Sequence, residues 1–318
     1  QYMYKTILKR RDGCFSCPIR CKRVVATEFA GETVEEKYGG PEYETVAAFG
    51  SLCLIDDLKA IALANQICNA YGIDAISTGV SVAFAMEASE RGLLKDYKIK
   101  WGDAKAMVKL VKMIANREGI GDLFAGGVRS AAKKIGGEDF AMHIKGQEIP
   151  MHEPRGKKGL GLSYAVSPRG ATHLETIHDT AFEASASPEL GLTKPVSRFN
   201  LKDKPLYVKV YEDITSFVNS LIICRFTTTP SGKDYNFPQI RSMLESVTGM
   251  QIDAKEMLKI GEDLPKSHLT SEEEEIFEET FPISERFQKL IKDLTPVSYT
   301  HLRAHETRHD LVCRLLLE

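Results

Sequence analysis

Three cysteines packed into eight positions constrain this chain more than any other feature. In RDGCFSCPIRCKR, residues 11 to 23, Cys14, Cys17 and Cys21 are set among Arg20, Lys22 and Arg23. Zinc usually draws its ligands as two short couples, and no second C-x-x-C or H-x3-H stands in the body of the chain. A redox C-x-x-C belongs beside a βαβ pattern, which is missing, and it leaves Cys21 without a role. A 4Fe–4S cluster fits better, because it needs four thiolates and takes three from one tight turn and a fourth from far away in sequence. The order x2 then x3 differs from the x3 then x2 spacing of radical chemistry with a nucleotide on the fourth iron. Pro18 helps hold such a turn open, and the flanking cations offset thiolate charge. Three thiols without a metal would be left needlessly reactive beside those cations. The fourth ligand has three candidates. Cys53 and Cys68 lie in apolar helical text, where a cysteine is usually a small core residue, and Cys224 closes NSLIIC.

The composition of the 318-residue chain excludes other classes. A formal charge of −2 with 43% hydrophobic residues describes a globular chain with no nucleic-acid signature. No run reaches the eighteen or so apolar residues of a membrane helix and no secretory leader opens the chain, so a cytoplasmic protein without a membrane partner is expected. Seven cysteines are too sparse for a disulfide scaffold. The chain opens on Gln1 and reads as a fragment. From about Val297 the text changes abruptly. His301, His305 and His309 would share a helix face, but 297–318 resembles a translated adapter tail, and these histidines and Cys313 are expected to do nothing.

Between the ends, apolar spacing predicts helices over 56–72, 76–92, 102–119, 122–137 and 206–226, the last apolar around much of its circumference. Residues 143–172 hold five glycines and three prolines and are expected to be loop, with room for one short strand. A long loop in a compact chain is usually functional. After about 266 the text is acidic and weakly patterned. The predicted class is mainly α.

Five motifs in one order carry a resemblance: CFSCPIRC, GPEYETVAAFG, NAYGID, EPRG with SPRGATH, and NSLIIC. The chain resembles the helical C-terminal portion of the tungsten-containing aldehyde ferredoxin oxidoreductases, whose pattern runs C-x2-C-x3-C, G-P-E-Y-E, D-x-x-G-L-D, D-P-R-G with R-G-x-x-H, then D-x-x-G-L-C. The resemblance implies two intertwined helical domains within 1–296, with a boundary near 150–200, and lacking the family's β-rich N-terminal domain. It implies that Cys14, Cys17, Cys21 and Cys224 ligate a 4Fe–4S cluster beside a tungsten (or molybdenum) bis-pterin centre. Asn69, Ile73, Asp74 and Asn219 fall at the pterin-binding positions, where pterin N–H groups want oxygen acceptors. Both leading aspartates of the family pattern are asparagine here, and Ile222 and Ile223 replace Gly-Leu. An amide keeps the acceptor and loses the charge.

The implied reaction oxidises a small aldehyde to a carboxylic acid and passes electrons through the cluster to ferredoxin or another electron-transfer protein. Such chemistry needs a carboxylate or imidazole near the carbonyl. Glu44 is the candidate carboxylate, with Glu42 adjacent and only one of the two expected to face inward. His173 is the candidate donor and His178 the reserve. A glutamate at a helix start can instead be a cap-region charge, and a lone histidine is more often structural. A fragment without the N-terminal domain is expected to be inactive, and a homo-oligomer is compatible with the family. Three other readings are a tungsten subunit of an aromatic acyl-CoA reductase complex, a non-catalytic iron–sulfur electron-transfer subunit, and a helical binding protein with incidental cysteines.

Overall fold

A computed structural model describes residues 2–167, 169–228 and 235–263. These divide into two units, one ending at Met151 and the other beginning at His152. The acidic stretch after 266 and the 297–318 tail lie outside the described residues. The described residues are mainly helical, as expected.

The first unit opens with α1 (Tyr2–Thr6), then an antiparallel hairpin of β1 (Leu8–Asp12) and β2 (Lys22–Val25), and a second of β3 (Thr27–Phe29) and β4 (Glu32–Val34). The sequence reading did not anticipate these hairpins, because the central residues of β1, Lys9, Arg10 and Arg11, are all exposed and show no alternation. The short α2 (Tyr43–Val46) follows, then α3 (Leu58–Tyr71), α4 (Ala75–Glu90) and α5 (Ala104–Asn116). Each long helix starts at an aspartate whose carboxylate accepts from its first turn: Asp57 for α3, Asp74 for α4 and Asp103 for α5. α4 is the core helix, with Thr78 through Met86 buried, while α5 buries one stripe of Met107, Leu110, Val111 and Ile114.

The helix expected over 122–137 is two helices, α6 (Ile120–Phe124) and α7 (Gly127–Ile135). The break is at Gly127, whose φ of 81° ends one helical path before the next begins. α7 has no side-chain cap of its own at Gly126, and Glu148 supplies it: a carboxylate oxygen accepts from Val128 N at 2.7 Å. Glu148 belongs to β6 (Gln147–Glu148), which pairs with β5 (His143–Ile144). Burial pushes the Glu148 carboxyl above its ordinary range.

In the second unit the text expected to be loop holds a helix, α8 (Lys158–Val166), almost wholly buried. Gly159 and Gly161 hide it from propensity reasoning. Asp179, at the start of α9 (Asp179–Ala184), caps it from outside by accepting from Gly159 N at 2.8 Å and Leu160 N at 2.9 Å. A Cβ on Gly159 would stand 2.9 Å from that carboxylate, so the cap requires glycine. α10 (Lys204–Ser220) stops six residues short of the expected 226, and Cys224 lies beyond it. It packs with Phe182, Ile240 and Met257 from α9, α11 (Phe237–Thr248) and α12 (Ala254–Asp263). At Gly261 a Cβ would fall 1.9 Å from Asp213 O, so α12 lies directly on α10 there.

Candidate cofactor and substrate sites

In the first unit, Cys14, Cys17 and Cys21 occupy the loop that closes the β1–β2 hairpin, where Asp12 faces Lys22. Cys17 N donates to Cys14 O at 3.0 Å, and Ser16 and Arg20 take left-handed φ values of 55° and 49°, which curl the loop. Its base is clamped by two arginines. Arg11 donates to the carbonyls of Ile19 and Arg20, and Arg20 returns a bond to Arg11 O at 2.9 Å. Arg23 is paired instead with Glu42, tying the hairpin to the GPEYE segment. Gly40 makes that approach possible, because a Cβ there would meet Val25 Cγ1 at 2.7 Å.

The other cysteines sort by environment. Cys14 and Cys224 are exposed and Cys17 and Cys21 partly so, all as free thiols. Cys53 and Cys68 are sealed in the core, where burial pushes each thiol up to about 12. Cys53 donates to Ala48 O at 3.3 Å. A thiol held protonated in apolar surroundings is a poor ligand, whereas accessible thiols can ionise onto iron. The three thiols of the hairpin loop, and separately Cys224 in the second unit, thus keep the accessibility that thiolate ligation of iron requires.

Glu42 is exposed, and Glu44 in α2 is half-buried, accepting from Met151 N at 2.7 Å through one carboxylate oxygen. Tyr43 anchors the same residue by donating to Met151 O at 3.1 Å.

The two proposed pterin segments repeat one local design, each within its own unit. Asn69 sits in the last turn of α3, Gly72 ends it at φ 69°, and Asp74 begins the next helix with its carboxylate accepting from Ser77 N at 2.7 Å. Asn219 sits in the last turn of α10, Ile222 takes φ 59°, and Cys224 begins a single 3-10 turn. The offsets are the same: three residues to the left-handed position, five to the residue that opens the next element. Asn69, Asp74 and Asn219 are exposed and Ile73 is partly buried. Asn69 donates its amide to Tyr38 O at 2.8 Å, which fixes the side chain and turns its oxygen away from that contact. Outward-facing oxygens at a helix end fit a ligand bearing N–H donors.

The second unit also gathers three histidines. His152, His173 and His178 have ring centroids 4.2 to 6.2 Å apart. The backbone of His152 accepts from Tyr164 of α8, at 3.1 Å. Arg225, next to Cys224, donates to the carbonyls of Leu174 and Thr176, so the histidine loop is tied to the Cys224 turn. Lys157 Nζ lies 2.8 Å from His178 Nδ1 and 3.4 Å from His152 Nδ1. Burial, with the nearby His152, Lys157, His173 and Arg225, lowers His178 to about 3. Sequence reasoning named His173 and His178 but passed over His152 and Lys157. Their only signal is proximity to the EPRG motif.

The first unit thus carries a thiol-bearing hairpin loop and a helix-end turn at Gly72, and the second unit a helix-end turn of the same local form at Ile222. The family described as aldehyde ferredoxin oxidoreductase, domains 2 and 3, matches residues 1–268, and the chain belongs to that family. It is 35% identical over 263 residues to the tungsten-containing aldehyde ferredoxin oxidoreductase of Pyrococcus furiosus, covering 80% of this chain and 41% of that protein. It is 28% identical over 266 residues to an aliphatic sulfonate oxidoreductase, WOR-like subunit, of the same organism, covering 80% of this chain and 38% of that one. The chain thus spans about two fifths of the length of these relatives. Among solved structures, the active-site complex BamBC of benzoyl coenzyme A reductase with 1,5-dienoyl-CoA shares the fold. Its TM-score is 0.69 at 18% identity, covering 99% of this chain and 54% of that one. No helix among the described residues is long and apolar enough to cross a membrane.

Proposed function

We propose that the protein containing this chain oxidises aldehydes to carboxylic acids at a tungsten (or molybdenum) bis-pterin centre and delivers the electrons through a 4Fe–4S cluster to ferredoxin or a similar carrier. The observation that carries this reading is the sorting of the thiols: the four cysteines of the family pattern are accessible, and the other two among the described residues, Cys53 and Cys68, are sealed and held protonated. Cys14, Cys17, Cys21 and Cys224 would hold the cluster, and Asn69, Ile73, Asp74 and Asn219 would line the pterins. When bound, the metal centre and cluster supply the two-electron oxidation and the one-electron relay. The chain's own residues supply binding and proton handling. Converting an aldehyde and water to a carboxylic acid releases two electrons and two protons, so the site needs a proton acceptor and a donor to the carbonyl oxygen. Glu44 is assigned the first role and His173 the second, with His178 beside it.

Reduction of an aromatic acyl-CoA is the competing reading, favoured by the shared fold with the benzoyl coenzyme A reductase complex and by asparagine at both pterin positions. Anaerobic purification of the full-length protein, metal analysis and assay with both substrate classes separate the two. Tungsten or molybdenum with aldehyde-dependent reduction of a carrier supports the proposal. The same metal with turnover of the thioester alone overturns it.

A further inference from the structure

Lys157 stands immediately before α8, at the positive end of a helix dipole, where a cation is disfavoured. Its ammonium is nevertheless directed at two imidazoles, 2.8 Å from Nδ1 of His178 and 3.4 Å from Nδ1 of His152. An ammonium has only donors, so each Nδ1 must accept, and an accepting Nδ1 leaves the ring proton of a neutral imidazole on Nε2. We propose that Lys157 is a positioning residue that locks His178, and more loosely His152, as neutral imidazoles protonated at Nε2, so that these rings serve the site as hydrogen-bond donors and not as bases.

The packing reinforces the lock. Burial disfavours a second proton on His178, and the nearby His152, Lys157, His173 and Arg225 act in the same sense. His178 is therefore an N–H donor beside the cations of Lys157 and Arg225, suited to an oxygen that carries or develops negative charge, such as an aldehyde carbonyl or a carboxylate. That last step rests on the proposed function; the lock does not. Its consequence for the chemistry is that protons released in the oxidation must leave through another group, and Glu44 is the carboxylate assigned that task.

The test is proton–nitrogen correlation NMR of the full chain labelled with nitrogen-15 at histidine, which separates protonated from bare ring nitrogens. His178→Gln and His152→Gln assign the signals. His178 is expected to be neutral with its proton on Nε2 from neutral pH down to about pH 5. Lys157→Met should mix the tautomers and raise the His178 midpoint by about one pH unit or more, while Lys157→Arg, which also offers only donors, should keep the wild-type pattern. A wild-type His178 protonated at Nδ1, or titrating near its ordinary value, overturns the proposal even if Lys157→Met fails to fold. An unchanged spectrum in Lys157→Met overturns it equally. Loss of the tungsten–aldehyde reading would show in metal content and turnover and leave these spectra as they are.

Discussion

Replacing Asp179 by asparagine tests whether the buried ion pair that follows His178 in sequence is the charge-balanced cap of α8. The Asp179 side chain is 0% exposed and its partner Lys204 2%, with Nζ 2.7 Å from Oδ1 and lying over the Phe182 ring. The carboxylate also accepts from Gly159 N and Leu160 N, so one side chain neutralises a buried ammonium and caps α8. Asp179→Asn keeps the shape and removes the charge, leaving the Lys204 ammonium enclosed without a counter-ion, which costs about 3–5 kcal/mol. With a urea slope of about 2 kcal/mol/M, the midpoint should fall by about 2 M. Removing the ammonium as well, with Lys204→Met, should recover most of the loss, because no charge is then left buried without a partner. Urea titration followed by far-ultraviolet circular dichroism reads both effects. A loss below about 1 kcal/mol in the single variant, or a double variant no more stable than the single, would refute the assignment of the pair as a charge-balanced cap.

Two further outcomes follow from backbone strain and from titration. Ile222 is 94% exposed at φ 59°, so Ile222→Gly relieves about 1–2 kcal/mol of left-handed strain against about 0.5–1 kcal/mol of added chain entropy, and thermal unfolding should rise by a few degrees; a fall would contradict it. His143 is held down to about 4 and His178 to about 3, both mainly by burial, so their contribution is complete above the ordinary histidine value near 6.5 and is lost as pH falls towards those values. His143 should give about 1.4 kcal/mol per pH unit in that window, and the less enclosed His178 a smaller total loss than its shift alone implies because solvent screens it. Glu148, pushed up by burial, works in the opposite sense, so the slope is read as the difference between wild type and His143→Gln in urea titrations at several pH values; identical slopes would refute it.

The parts of this fold that the sequence shows are those written in local code. α3, α4 and α5 combine helical apolar spacing with aspartate caps, and Gly72 marks the end of α3. What stayed hidden depends on distant partners. α8 is a helix because Asp179, twenty residues on from Gly159, caps it and because Gly159 lets that carboxylate approach. The glycine pair at 126 and 127 reads as a tolerable interruption until Glu148 is seen occupying the space. α10 ends early because Ile222 turns left-handed, a conformation its side chain does not advertise. The candidate site divides the same way. The cysteine spacing is legible because three of the candidate thiols come from one loop, while Lys157 meets a ring 21 residues away in sequence.

The most direct test of the central claim is anaerobic reconstitution of the chain with iron and sulfide, followed by EPR of the reduced sample beside Cys224→Ala and Cys53→Ala variants. The account predicts a reduced 4Fe–4S signal that is lost or altered in Cys224→Ala and unchanged in Cys53→Ala. A signal indifferent to Cys224 and abolished by Cys53→Ala, or no cluster in any sample, would contradict it.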